Sequence, residues 1–151
     1  MAEDFRAAER AKPKAAKHGK AIRLYPLEAD EQKLFVAWAR AQGYVVVAGN
    51  NGAHLAGRTP GERARQWGKL YALGAVQGWP DVEVLLKAGP RVFLEFKRQR
   101  LSYGSDAECE RAVSAGQRGM HDTLRRKGHE VLVAYGADDA IRQFCDYGGL
   151  R

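Results

Sequence analysis

From about residue 30 onward, the apolar residues fall into alternating helical and strand-like rhythms. In ADEQKLFVAWARAQGY, residues 29–44, Leu34, Phe35, Trp38 and Ala41 share one helical face. The spacing predicts a helix with Asp30 as N-cap and Gly43 as its stop. YVVVAG is short and β-branched and predicts a strand. NNGAHLAG is rich in turn residues and predicts a loop. In TPGERARQWGKLYALG, Thr59 stands as N-cap, Pro60 at the first helical position and Glu62 at the third, a capping box that opens a helix ending near Leu73 and Gly74. SAGQRGMHDTLRRKGH repeats the device with Ser114 and Gln117 and stops at Gly128. EVLVAY predicts a strand. GADDAIRQFCDY predicts a final helix with Ile141, Phe144 and Cys145 apolar. RQRLSYGSDAECERAV, residues 98–113, has no single period. The order is α-β-α-β-β-α-β-α without repeats, which predicts a single α/β sandwich.

The stretch GWPDVEVLLKAGPRVFLEFK, residues 78–97, predicts a β-hairpin whose apolar runs carry Asp81, Glu95 and Lys97. A three-residue loop, Lys87-Ala88-Gly89, places its left-handed residue at Gly89. Leu86 then faces Pro90, Glu83 faces Phe93, and Asp81 faces Glu95. A two-residue loop would shift the pairing by one and put the two acids on opposite faces. Facing residues have Cβ atoms about 5 Å apart, so two carboxylates placed there repel. A divalent cation between them removes the repulsion. Lys97, two residues beyond Glu95, points to the same side. Val82, Val84, Val92, Leu94 and Phe96 take the other face as core. The plainer alternative is a solvent-edge Asp81 and a Glu95–Lys97 pair on a wet face.

Composition adds a partner class. The 151 residues carry a formal charge of +7 with 45% hydrophobic content, which fits one core and favours a polyanionic partner. Residues 1–26, rich in Ala, Lys and Arg, are expected to form a basic flexible arm, with the domain over 27–151. The arm either touches phosphates or only aids solubility. Its opening has acids and no apolar h-region, unlike a secretory signal. No apolar run reaches the length of a membrane span. Cys109 and Cys145 match no zinc spacing and read as free thiols of a reducing compartment.

Taken together, these residues resemble the VRR-NUC family of the PD-(D/E)XK nucleases. The resemblance rests on GWPDVEVL…RVFLEFK, on EQKLFVAWARAQGY, on NNGAH, on KLYALGAVQGWPD and on SAGQRGMHDTLRRKGHEVLVAYG, over residues 30–145. The insert at 98–113 departs from the family pattern and bears on the shape of the cleft. The resemblance implies a restriction-endonuclease-like α/β core, a mixed β-sheet flanked by helices. It implies a nuclease dependent on Mg²⁺ or Mn²⁺, with Asp81, Glu95 and the Phe96 carbonyl as metal ligands. It brings Glu31 to the same site, where the plain reading is an acid in the first turn of a helix. Lys97 would stabilise charge on the phosphate and orient the attacking water. Two roles are open to Gln117, completion of the capping box or contact with water and phosphate. Asn51, Gly52, Arg58, Arg98, Arg100 and Arg118 are candidates for nucleic-acid contacts, and equally ordinary turn or surface residues. The histidines fit no zinc or nuclease pattern and are read as bystanders. Trp38 and Trp67 are read as helix packing, and Trp79 as core or a base-stacking residue. The implied partner is DNA, branched (such as a four-way Holliday junction) or duplex, acted on by a homodimer in phage-type replication or repair. The implied setting is the cytoplasm of a bacterium or phage-infected cell. A non-cleaving binding module and an RNA-directed nuclease are the competing readings.

Overall fold

The computed structural model describes residues 25–49 and 59–148. Its elements run α1 (Glu28–Ala41), β1 (Val45–Ala48), α2 (Pro60–Ala72), β2 (Val82–Leu85), β3 (Val92–Lys97), a 3₁₀ turn (Arg100–Ser102), α3 (Asp106–Arg111), α4 (Ala115–Arg126), β4 (Glu130–Tyr135) and α5 (Ala137–Asp146). The strands form one mixed sheet in the order β1-β2-β3-β4. The first three are antiparallel, and β4 lies parallel to β3 after the crossover through α3 and α4.

Alternation along β2 and β3 divides the sheet into two faces. Val82, Val84, Val92, Leu94 and Phe96 pack with Phe35 and Ala39 of α1 and with Ala140 and Phe144 of α5. Phe35 sits at the centre of this layer, 5.6 Å from the Phe96 ring and 5.9 Å from Phe144. On the opposite face Phe93 packs with Val131 and with Leu124 of α4, and Trp79 meets Phe93 edge-on at 5.3 Å. Trp79 is therefore a core residue.

The hairpin register is the expected one: Val82 pairs with Leu94, Glu83 with Phe93 and Val84 with Val92. Gly89 has φ +96, in the left-handed region. Ladder pairing stops short of Leu86 and Pro90, since a proline has no N–H to bond. Both expected capping boxes are present, Thr59 with Glu62 and Ser114 with Gln117. Helix α1 departs from expectation. It begins after Leu27, without a side-chain cap, so Asp30 lies inside its first turn. Its buried stripe is Glu31, Phe35 and Ala39, at i, i+4 and i+8, and Leu34 points outward, 58% exposed.

The unpatterned insert folds into the 3₁₀ turn and α3. Tyr135 Oη donates to the Cys109 carbonyl at 2.8 Å, and Arg118 donates to the carbonyls of Glu110 and Val113. Each of these bonds ties the insert to β4 or α4. Both cysteines are free thiols. Among the described residues no helix is long and apolar enough to cross a membrane.

Candidate active site at the end of β3

The polar end of the α4-facing sheet surface is built from alternating β3 residues. Phe93 meets Leu124, while Glu95 and Lys97, two and four positions on, meet the first turns of α4. Gln117, His121 and Leu124 stand at i, i+4 and i+7 of that helix and so share one stripe. Glu95 is 1% exposed and Lys97 6%. Lys97 Nζ donates to Glu95 Oε1 at 2.8 Å. The Gln117 amide nitrogen donates to the same oxygen.

Gln117 does two things at once. Its carbonyl oxygen accepts from the Ser114 N–H at 2.9 Å and lies 3.5 Å from Lys97 Nζ, while its nitrogen reaches Glu95. The capping-box role is therefore observed, and the donor end of the amide is engaged by Glu95.

Asp81 lies just before β2, held by a backbone bond from Gly49 N–H to the Asp81 carbonyl at 2.7 Å. Its Oδ2 accepts the Phe96 N–H at 2.7 Å. Continuing the register outward places Phe96 opposite Pro80. Pro80 has no N–H to give to the Phe96 carbonyl. The proline thus leaves a ladder acceptor without its usual donor, beside two carboxylates. Burial, and next the neighbouring Glu95 charge, push the Asp81 carboxyl from its ordinary 3.8 up to about 6, against the opposing pull of the Phe96 N–H and Lys97. Burial works against the Lys97 charge, but the Glu95 hydrogen bond and charge outweigh it, so the ammonium is held above its ordinary value. Lys97 is a cation at neutral pH.

His121 belongs to this cluster, although it reads as a bystander in the sequence. It is 1% exposed, and its Nε2 lies 3.6 Å from Glu95 Oε2. Both atoms are buried without a hydrogen-bond partner. The signal was available in the helical spacing: a residue four after Gln117 must face the same strand.

Glu31 is placed differently. Its Oε2 accepts from Ala137 N–H at 2.8 Å and its Oε1 from the Gln99 amide at 2.7 Å. Helix α5 starts after Gly136, which has no side chain to cap it, and the Glu31 carboxylate from α1 serves instead. Both of its oxygens are engaged with protein donors.

Of the candidate nucleic-acid contacts, Asn51, Gly52 and Arg58 lie outside the described residues. Arg98 is exposed directly after Lys97. Arg100 pairs with Asp106 at 3.3 Å and lies 4.5 Å over the Tyr135 ring. Arg118 is engaged with the end of α3, as described above.

Among the described residues no group of three His, Cys, Asp or Glu side chains is placed to hold a metal ion. Two carboxylates and a backbone carbonyl nevertheless suit a hard cation that keeps several of its waters. Glu95 Oε2, buried and unpartnered, leaves one anionic oxygen short of a donor or cation.

No family model matches the chain, and no curated protein matches it. A solved structure that is similar is a VRR_NUC domain protein, with a TM-score of 0.58 and 19% identity over 83% of this chain and 90% of that one. At that identity the likeness concerns architecture. The chain has an α/β fold, a mixed four-stranded sheet flanked by helices, similar in architecture to that VRR_NUC domain protein.

Proposed function

We propose that this protein is a VRR-NUC-type, metal-dependent DNA endonuclease that hydrolyses phosphodiester bonds at the Asp81–Glu95–Lys97 cluster. The observation that carries the reading is the meeting of two carboxylates and a cationic lysine on rigid strands, with Asp81 pushed up to about 6. Two desolvated acids and a buried lysine are a costly core, and this arrangement suits a site whose charge is completed by ligands.

Asp81, Glu95 and the Phe96 carbonyl would hold Mg²⁺ or Mn²⁺. When bound, the ion supplies Lewis-acid neutralisation of the phosphate. The protein's own groups do the rest. Lys97 presents positive charge to a phosphoryl oxygen as negative charge builds there. Gln117 fixes Glu95 through its amide nitrogen and sets its carbonyl oxygen beside Lys97. His121 backs Glu95 from the α4 side and restrains its rotation. In the reaction, water forms one new P–O bond and one ester P–O bond breaks, leaving a phosphomonoester and a hydroxyl. Glu31 contributes through the fold, by holding the start of α5 beside the end of β3. Arg98 is the described candidate best placed to meet a phosphate. Branched DNA as substrate and a paired assembly of two copies extend the reading.

The test is incubation with Mg²⁺ or Mn²⁺ and a panel of duplex, flap, four-way junction and RNA substrates. Metal-dependent DNA cleavage is expected, with Asp81→Ala and Lys97→Ala inactive and still able to bind. Full cleavage by Asp81→Ala would overturn the site assignment.

A further inference from the structure

Next to the Glu95 cluster lies a cleft that none of the assigned chemistry uses. It is open, about 640 Å³ in volume, and lined by Trp67, Gln77, Gly78, Ser114, Gly116 and Gln117. Trp67 comes from α2, a helix with no fully buried residue. Among the described residues it belongs to neither apolar cluster and is half-buried, in contrast to Trp79, which packs edge-on against Phe93.

Two glycines, Gly78 and Gly116, are among the residues that line the cleft. Gly78 has φ +78, and a Cβ there would lie 2.6 Å from the Gly116 carbonyl oxygen. The loop before Asp81 thus runs against the first turn of α4 with no side chain between them. Gln117 lines the cleft, and its amide nitrogen bonds Glu95 while its oxygen lies 3.5 Å from Lys97 Nζ, so the cleft borders the charged cluster.

We infer that this cleft takes one unpaired DNA base, stacked on Trp67, next to the scissile phosphate. The inference rests on the nuclease reading above. An indole offers a flat apolar face to any base, while the Gln77 amide and nearby backbone groups can bond base edges. A base inside a duplex has both faces stacked and cannot enter without leaving the helix. The site would therefore select DNA with an unpaired nucleotide at the cut, as in a flap, gap or fork.

The test is binding in EDTA, so that no strand is cut, to two DNAs that differ in one position. One carries a single unpaired 2-aminopurine, and the other pairs it with thymine. Expected results are quenched emission of the unpaired probe and tighter binding of that DNA. Trp67→Leu should weaken binding of the unpaired DNA roughly 5- to 150-fold, the range of one base–aromatic stack, with little change for paired DNA. Trp67→Phe, which keeps a ring in the helix, should restore most of the affinity and serves where the leucine variant fails to fold. Equal losses on both DNAs, or no change in either variant, overturn the stacking site, even if wild-type cleavage with Mg²⁺ upholds the nuclease reading. Trp67-dependent preference for the corresponding unpaired RNA overturns DNA as the ligand class. A wild-type protein that neither binds nor cuts any nucleic acid removes both readings.

Discussion

Replacing Asp81 by Asn in the metal-free protein should stabilise it at pH 8 while abolishing cleavage. The carboxyl is raised from 3.8 to about 6, first by burial and next by Glu95. Its folded-state value is above its unfolded one, so its contribution to stability is fully present below pH 3.8 and is lost as pH rises through about 6. At about 1.4 kcal/mol per pKa unit, that gap corresponds to roughly 3 kcal/mol against folding at pH 8. Asparagine keeps an acceptor for the Phe96 N–H and removes the charge. It also removes a neighbour that favours the Lys97 ammonium, so the net gain should be about 1–3 kcal/mol. The assay is urea unfolding of both proteins in EDTA at pH 4, 6 and 8. The difference between them should open across this range, and Mg²⁺ should reduce it by stabilising only the wild type. A variant less stable than wild type at pH 8, or a difference that does not change with pH, would refute the reasoning.

Three further outcomes follow from the same geometry. Lys97→Met should cost about 3–5 kcal/mol by stranding buried Glu95, and the Glu95→Gln/Lys97→Met pair should regain most of it, as read from a double-mutant cycle of urea midpoints. His121→Leu should lower Mn²⁺ affinity, measured by calorimetry, about 10- to 100-fold if His121 restrains Glu95, and unchanged affinity would remove it from the site. Gly78→Ala, strained at φ +78 and driven against the Gly116 carbonyl, should destabilise by about 1–3 kcal/mol, measured by denaturant unfolding.

Much of the fold was legible because its signals are local. Capping boxes at Thr59 and Ser114 place side chain and backbone within three residues of each other, so their chemistry is readable without the rest of the chain. The left-handed Gly89 fits the turn that sets the hairpin register, and strand alternation puts Glu95 and Lys97 on one face, the register continued outward bringing Asp81 to them. The start of α1 was less legible because Leu27 leaves no capping signature, and the outward turn of Leu34 depends on where α5 and the sheet lie.

Which residues gather around the acids was decided by tertiary structure. The crossover lays α4 over β3 and brings His121 and the Gln117 amide nitrogen onto Glu95, 26 and 22 positions away in the chain. Glu31 has a capping role no local pattern announces, because the turn at Gly136 delivers an uncapped helix start to its carboxylate 106 positions away. Local pattern sets strand alternation and helix ends, which depend on neighbours a few residues apart. The partners of a buried charge depend on how whole elements are laid against one another, and only the packed sheet and helices determine that.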